Sequence, residues 1–163
     1  MRTPASKILD TDTARRAREQ HRRRGERVAF TNGCFDVLHT GHVDLLTFAR
    51  GQADVLFVGL NSDASARRLK GPTRPVVPES ERARTLAALE AVDYVVVFPE
   101  DRVDRLIADL VPDVLVKGAQ WGQEVHGREI VEAAGGRIVL APMTEGRSTT
   151  DTIRRILRLH ASP

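Results

Sequence analysis

Cysteine is nearly absent from this chain, with one residue, Cys34, in 163. A lone thiol cannot close an internal disulfide, which excludes a stapled secreted scaffold and suits a reducing compartment. Aromatic residues are also scarce, at 4% with one Trp and one Tyr. The core must therefore be built from Val, Leu, Ile and Ala, and no aromatics are interleaved with the arginines to stack on bases. No apolar run approaches the ~20 residues that span a bilayer, and the arginine-rich start lacks the apolar stretch of a signal peptide. The expectation is a cytoplasmic protein that meets neither membrane nor nucleic acid.

What is present is ordinary for a globular domain: 41% hydrophobic and 29% charged residues over a length that fits one core. The net charge of +3 is unevenly placed, because residues 14–27 hold seven arginines against Glu19 and Glu26. One basic segment is not a basic domain. An Arg-rich nucleic-acid module is thus the non-enzymatic alternative, not the leading reading. Residues 1–26 read as a basic N-terminal extension, helical over 12–24 with Asp12 or Thr13 as cap and Gly25 as stop. Residues 27–163 read as the functional domain.

From residue 27 onward, apolar runs and helical patterns alternate, which predicts an α/β fold: one Rossmann-like domain, a parallel sheet of about five strands and helices on both faces. The strands are placed at 27–31, 55–60, 94–98, 114–117 and 137–140, and their near-continuous Val/Leu/Ile/Phe character suits burial on both sides. Helices are placed at 42–50, 80–89, 102–110, 128–134 and 150–159. Residues 65–79, with Lys70, Arg74 and three prolines, read as a long functional connection. His21, His126 and His160 join no constellation and read as surface residues.

The most telling stretch runs from Thr31 to His42, TNGCFDVLHTGH. A glycine turn leaves a strand, and two histidines then bracket Gly41 where a helix begins. Free N–H groups and the positive helix end attract an anion, and imidazoles three residues apart add donors on the same face. Gly41 lets phosphate approach the backbone. The geometry suits a polyphosphate. One cysteine and no third nearby histidine argue against a closed zinc site at the pair. Asp36 reads from its own position as a turn or capping residue, and Ser148-Thr149-Thr150 would cap the last helix in any sequence.

The run Gly33-x-Phe35-Asp36-x-x-His39-x-Gly41-His42 resembles the signature of the cytidylyltransferase-like nucleotidyltransferases. Asn61-Ser62-Asp63, Arg68-Leu69-Lys70-Gly71, Arg74-Pro75-Val76, Leu115-Val116-Lys117-Gly118 and Ser148-Thr149-Thr150 follow in order. Together they are similar to the stand-alone adenylyltransferases that make ADP-heptose from heptose 1-phosphate. The resemblance implies AMP transfer from ATP to that sugar phosphate, with pyrophosphate released. A relative using CTP, or an acceptor such as glycerol 3-phosphate, is the alternative.

The resemblance also implies a set of site residues. His39, His42, Lys70 and Lys117 would be catalytic. Thr31, Asn32, Gly33, Cys34, Phe35, Gly41, Lys117, Gly118, Ala119, Gln120, Glu145, Ser148, Thr149 and Thr150 would bind the nucleotide. Asp36, Asn61, Ser62, Asp63, Lys70, Arg74 and Arg82 would bind the sugar phosphate. Mg²⁺ would come with the triphosphate, with no protein ligand assigned, and a homodimer is left open. One departure is visible: where relatives carry an acidic residue after Lys117-Gly118-Ala119, this chain has Gln120, beside the expected base and sugar.

Overall fold

The computed structural model describes residues 2–122, 124–142, 144 and 146–160. In chain order its regular elements are β1 (Ile8–Leu9), α1 (Thr11–Arg23), β2 (Val28–Gly33), α2 (Thr40–Arg50), β3 (Val55–Asn61), α3 (Asp63–Lys70) and α4 (Glu79–Ala88). They continue with β4 (Tyr94–Phe98), α5 (Asp104–Leu110), β5 (Val114–Gly118), α6 (Arg128–Ala133), β6 (Arg137–Ala141) and α7 (Thr149–His160). All strands pair parallel in one sheet of order β1-β4-β3-β2-β5-β6.

The strands divide the core by simple alternation. Along β2, Val28 and Phe30 enter one apolar cluster while Ala29 enters the other. Along β3, Val55 and Phe57 oppose Leu56 and Val58 in the same way. One cluster is closed by Leu46 and Ala49 of α2 and Ala83, Leu86 and Ala87 of α4. The other is closed by Ala14 of α1, Leu106, Ile107 and Leu110 of α5 and Val131 of α6. Gly59 is where the sheet needs a missing side chain, since a Cβ there would lie 2.7 Å from Phe30 Cζ.

Two elements differ from the sequence expectation. The sheet has six strands, the sixth being β1, which pairs Ile8 with Val95 and Leu9 with Val96 on β4. Two residues are too short for a periodicity to show. The N-terminal segment is also tied down beyond that strand. Lys7 Nζ donates to Leu89 O and Val92 O. Buried Arg18 donates to Leu110 O, Val111 O and Asp113. His21, expected on the surface, is largely covered, with its ring nitrogens 2.6 Å from Glu26 Oε2 and 3.0 Å from the Tyr94 hydroxyl. The cap of α1 is Asp10, which accepts from the Thr13 amide at 2.7 Å.

The second difference is α3, which occupies the first part of the connection read as a loop. Ser62 caps it by accepting from Ser65 N, and Gly71 ends it at φ 101°. The pattern hides it because its arginines and lysine leave only Ser65 and Ala66 buried.

Candidate functional site

β2 is the middle of the chain's winding: β3 and β4 lie to one side, β5 and β6 to the other. In such sheets the crevice at the carboxyl ends, where strand order reverses, is the natural place for a ligand. Asn32 at the end of β2 and Lys117 at the end of β5 stand on its two sides, and Lys117 Nζ donates to Asn32 Oδ1. Burial pulls the Lys117 ammonium down to about 8, opposed by Asp104. Thr31, wholly buried beneath them, has a hydroxyl with no partner.

The turn leaving β2 is tightly held. Phe35 and Val37 sit at φ 45° and 50°, a region non-glycine residues rarely enter. The Phe35 ring covers Gly33 and meets His42 edge-on at 5.3 Å. Asp36 carries most of the restraint. Its buried carboxylate accepts from Arg74 Nε at 2.6 Å and from the Val76 and Val77 amides at about 2.9 Å. Burial alone would raise this carboxyl, but the two amides and Arg74 hold it below the usual carboxylate range. The Asp36 carbonyl accepts from Thr149 Oγ1 at 2.6 Å, tying the turn to the start of α7.

α2 opens at His39, and the first turn carries the histidine pair. The rings are stacked with centroids 3.8 Å apart. The His39 amide donates to His42 Nδ1 at 3.4 Å, which leaves the His42 proton on Nε2. Burial, followed by His39, pushes the His42 imidazole down to about 4, partly offset by Asp36. His39 is lowered by burial and then by the Arg147 guanidinium. Both imidazoles are therefore neutral hydrogen-bonding groups at neutral pH. His39 Nδ1 is buried without a partner. A Cβ on Gly41 would lie 3.1 Å from that nitrogen and 3.4 Å from Arg147 Cβ.

The residues expected on the sugar-phosphate side divide into a frame and a rim. Arg82 is fully buried and donates to Val77 O, Cys34 O, Asn61 O and Asp63 Oδ1. Asn61 Nδ2 donates to Ser65 Oγ at 2.9 Å, Ser62 caps α3, and the Asp63 amide donates to Glu79. These groups, with Asp36 and its partner Arg74, brace the crevice through contacts inside the protein. Lys70 is exposed at the end of α3. The Cys34 thiol is raised by burial and lowered in turn by Lys70, Arg82 and Arg74, which places those cations around the turn.

At the other rim, Gln120 folds back over Gly118, where a Cβ would lie 2.2 Å from Gln120 Oε1. Ala119 and Gln120 are exposed in a short 3-10 turn. Ser148 Oγ accepts from the Asp151 amide and donates to the Asp151 carboxylate, a cap for α7. Thr150 is exposed beside it. Glu145 lies outside the described residues. Sequence reasoning passed over Arg147; the only signal was its place immediately before the α7 cap. Among the described residues no group of three or more His, Cys, Asp or Glu could hold a metal ion, and Asp36 and Asp63 are already paired. No described helix is long and apolar enough to cross a membrane.

Comparison with known proteins finds similar sequences and a shared fold. The bifunctional protein HldE of Syntrophotalea carbinolica is 56% identical over 93% of this chain and 31% of its own length. That of Geobacter metallireducens is 51% identical over 95% of this chain and 32% of its own. The chain thus spans about a third of the curated relatives it matches. Among solved structures, the lipopolysaccharide core biosynthesis protein from Thermoplasma volcanium superposes with a TM-score of 0.61 at 21% identity, covering 76% of this chain and 100% of that one. The pantoate-beta-alanine ligase from Francisella tularensis does so with a TM-score of 0.64 at 17% identity, covering 88% and 68%. These two share the fold. The cytidylyltransferase-like family model matches residues 30–155, from β2 into α7, and the chain belongs to that family of nucleotidyltransferases.

Proposed function

We propose that the protein transfers AMP from ATP to heptose 1-phosphate, forming ADP-heptose and pyrophosphate. The observation that carries the reading is the crevice at the strand reversal. There the Asn32–Lys117 pair stands at the ends of β2 and β5, and the turn leaving β2 leads to the stacked, neutral His39–His42 pair at the start of α2. The ordered motifs from Gly33 to Thr150 supply the sugar and nucleotide assignment, and the family match supplies the reaction class.

The chemistry needs no general base, because the attacking sugar-phosphate oxygen is already an anion. That oxygen forms a bond to the α-phosphorus, the bond from that phosphorus to the bridging oxygen breaks, and pyrophosphate leaves with the electron pair. The obstacle is two anions meeting, so catalysis consists of donors and cations held in place. His42 offers an Nε2 proton and His39 a second imidazole, without the solvation that charged rings would hold. Lys117 adds positive charge from the β5 side, and the free N–H groups of α2 face the phosphates. Lys70 stands on the acceptor side. Mg²⁺ belongs to the substrate, arriving as the magnesium salt of the triphosphate.

A panel of ATP, CTP, GTP and UTP against heptose 1-phosphate and glycerol 3-phosphate, read by pyrophosphate release, tests the proposal. ATP with heptose 1-phosphate should give the highest kcat/KM. A wild-type preference for CTP would overturn the adenylyl assignment, and a preference for glycerol 3-phosphate would overturn the acceptor.

A further inference from the structure

We propose that Phe35 is a positioning residue: its ring fixes the His42 imidazole for the transfer step and ties it to the frame formed by Asp36 and Arg82. This rests on the transferase reading above.

The Phe35 side chain is committed to the protein. It is 4% exposed and belongs to the apolar cluster that holds Leu46 and Ala49 of α2. One edge of the ring lies over Gly33, where a Cβ would stand 3.3 Å from Phe35 Cε2. The ring also meets the His42 imidazole with centroids 5.3 Å apart and planes at 61°, an edge-to-face pair. His42 is thus held by three contacts. His39 stacks on it at 3.8 Å, the His39 amide donates to its Nδ1 at 3.4 Å, and Phe35 meets it at an angle. The first two come from His39, whose own ring is a donor in the reaction. Only the third comes from a side chain with no polar atom to offer a phosphate.

The backbone explains how the ring arrives there. Phe35 sits at φ 45°, a conformation that side-chain-bearing residues rarely adopt. It is pinned on both sides. The Cys34 carbonyl accepts from the buried Arg82 guanidinium, and the Asp36 carboxylate accepts from Arg74 and from the Val76 and Val77 amides. The frame that braces the turn therefore also aims the ring at α2. The charged and titratable groups acting on His42 are His39 on its own helix and Asp36 in the turn, with Arg147 before α7 acting on His39. None of them acts through the Phe35 side chain. Replacing the ring changes how His42 is covered and oriented, and leaves those charges in place.

The test uses the full chain with Phe35→Leu, alone and combined with His42→Ala. Leucine keeps an apolar side chain in the cluster but has no ring edge. In Phe35→Leu, kcat should fall about tenfold while KM for ATP stays within about twofold, the split of a donor misplaced in the transition state. In the His42→Ala background the same substitution should cost no further activity, as expected of a residue that acts through another. Proton NMR should show His42 titrating at higher pH in Phe35→Leu, because burial is what lowers it. Gly33→Ala, which keeps the ring but crowds it, should move the same titration and carries the test if Phe35→Leu does not fold. Wild-type-like kcat in a folded Phe35→Leu, losses that add in the double variant, or a His42 titration unmoved by either substitution would overturn the proposal. A His42 titration that moves in Phe35→Leu, in a protein that turns over no triphosphate with any acceptor, would overturn the transferase reading alone.

Discussion

Thr149 at the start of α7 donates its hydroxyl proton to the backbone carbonyl of Asp36, 2.6 Å away and 113 residues earlier in the chain. The bond joins the two ends of the site through a residue whose carboxylate, in the same turn, holds the backbone of residues 76 and 77. Asp36 is thus the knot of the crevice and contributes through position. Asp36→Asn keeps the shape but removes the charge from a buried pair, and should cost about 3 kcal/mol in urea unfolding. The pH dependence has a definite sign. The folded carboxyl is held low, so its stabilisation is present above the unfolded carboxylate range and is lost as pH falls through the lower folded value. Acid unfolding of Asp36→Asn should lack that contribution.

The histidine pair gives a prediction in two parts. His42→Ala or His39→Ala should lower turnover by about two to three powers of ten while circular dichroism stays unchanged. Because His42 is held down at about 4 by burial and His39, kcat/KM should show no His42 inflection between pH 5 and 7. A wild-type activity that drops as pH falls through about 6.5, and does so only when His42 is present, would contradict the neutral-donor role.

Lys117 should shape the alkaline limb. Burial lowers its ammonium to about 8, so the cation is present below that pH and is lost above it. Activity should fall as pH rises through about 8. Lys117→Ala should weaken all triphosphates alike and abolish that limb of the kcat/KM profile.

The N-terminal segment tests where the domain begins. Its deletion through residue 20 removes β1 from the edge of β4, the Lys7 bonds to α4 and the β4 approach, and Arg18 from its buried carbonyls and Asp113. The truncated chain should lose its cooperative unfolding transition or melt far below the full chain. A truncated protein with the full-length midpoint would show that the domain starts near residue 27. Arg18→Ala, a smaller change, should cost about 2 kcal/mol through the carbonyls left unpaired.

How much of this was written in the sequence depends on the length of the signal. Five strands and the helices after them were legible because Val28–Phe30, Val55–Leu60 and their like are doubly buried apolar runs closed by polar turns. β1 was not, being two residues long, nor was α3, whose charged residues leave only Ser65 and Ala66 buried. The pairing of His39 and His42 at the start of α2 was legible because residues three apart share one face of a helix's first turn. The braces were not. That Arg82 is buried against Cys34, Asn61, Asp63 and Val77 follows from the return of α4 beneath the β2 turn, a long-range arrangement that spacing does not encode. Arg147 was missed for the same reason, since its neighbour Gly41 is 106 residues away in the chain.

The last prediction concerns base choice, and it turns on Gln120 lying over Gly118. The close approach leaves no room for a Cβ at Gly118, so Gly118→Ala should push Gln120 off its position without touching Lys117's anchor on Asn32. Gln120 presents both an amide donor and an amide acceptor, whereas a carboxylate only accepts. A group that reads a base edge or ribose discriminates by the bond it leaves unmade with the wrong partner. Gln120→Asp should therefore change the ratio of kcat/KM between ATP and CTP by about tenfold, the worth of one exchanged hydrogen bond. Gly118→Ala should flatten the same ratio by displacing the amide, with the pH limb of Lys117 retained. If both variants keep the wild-type ratio, selection of the base lies elsewhere in the crevice and Gln120 only covers the glycine beneath it.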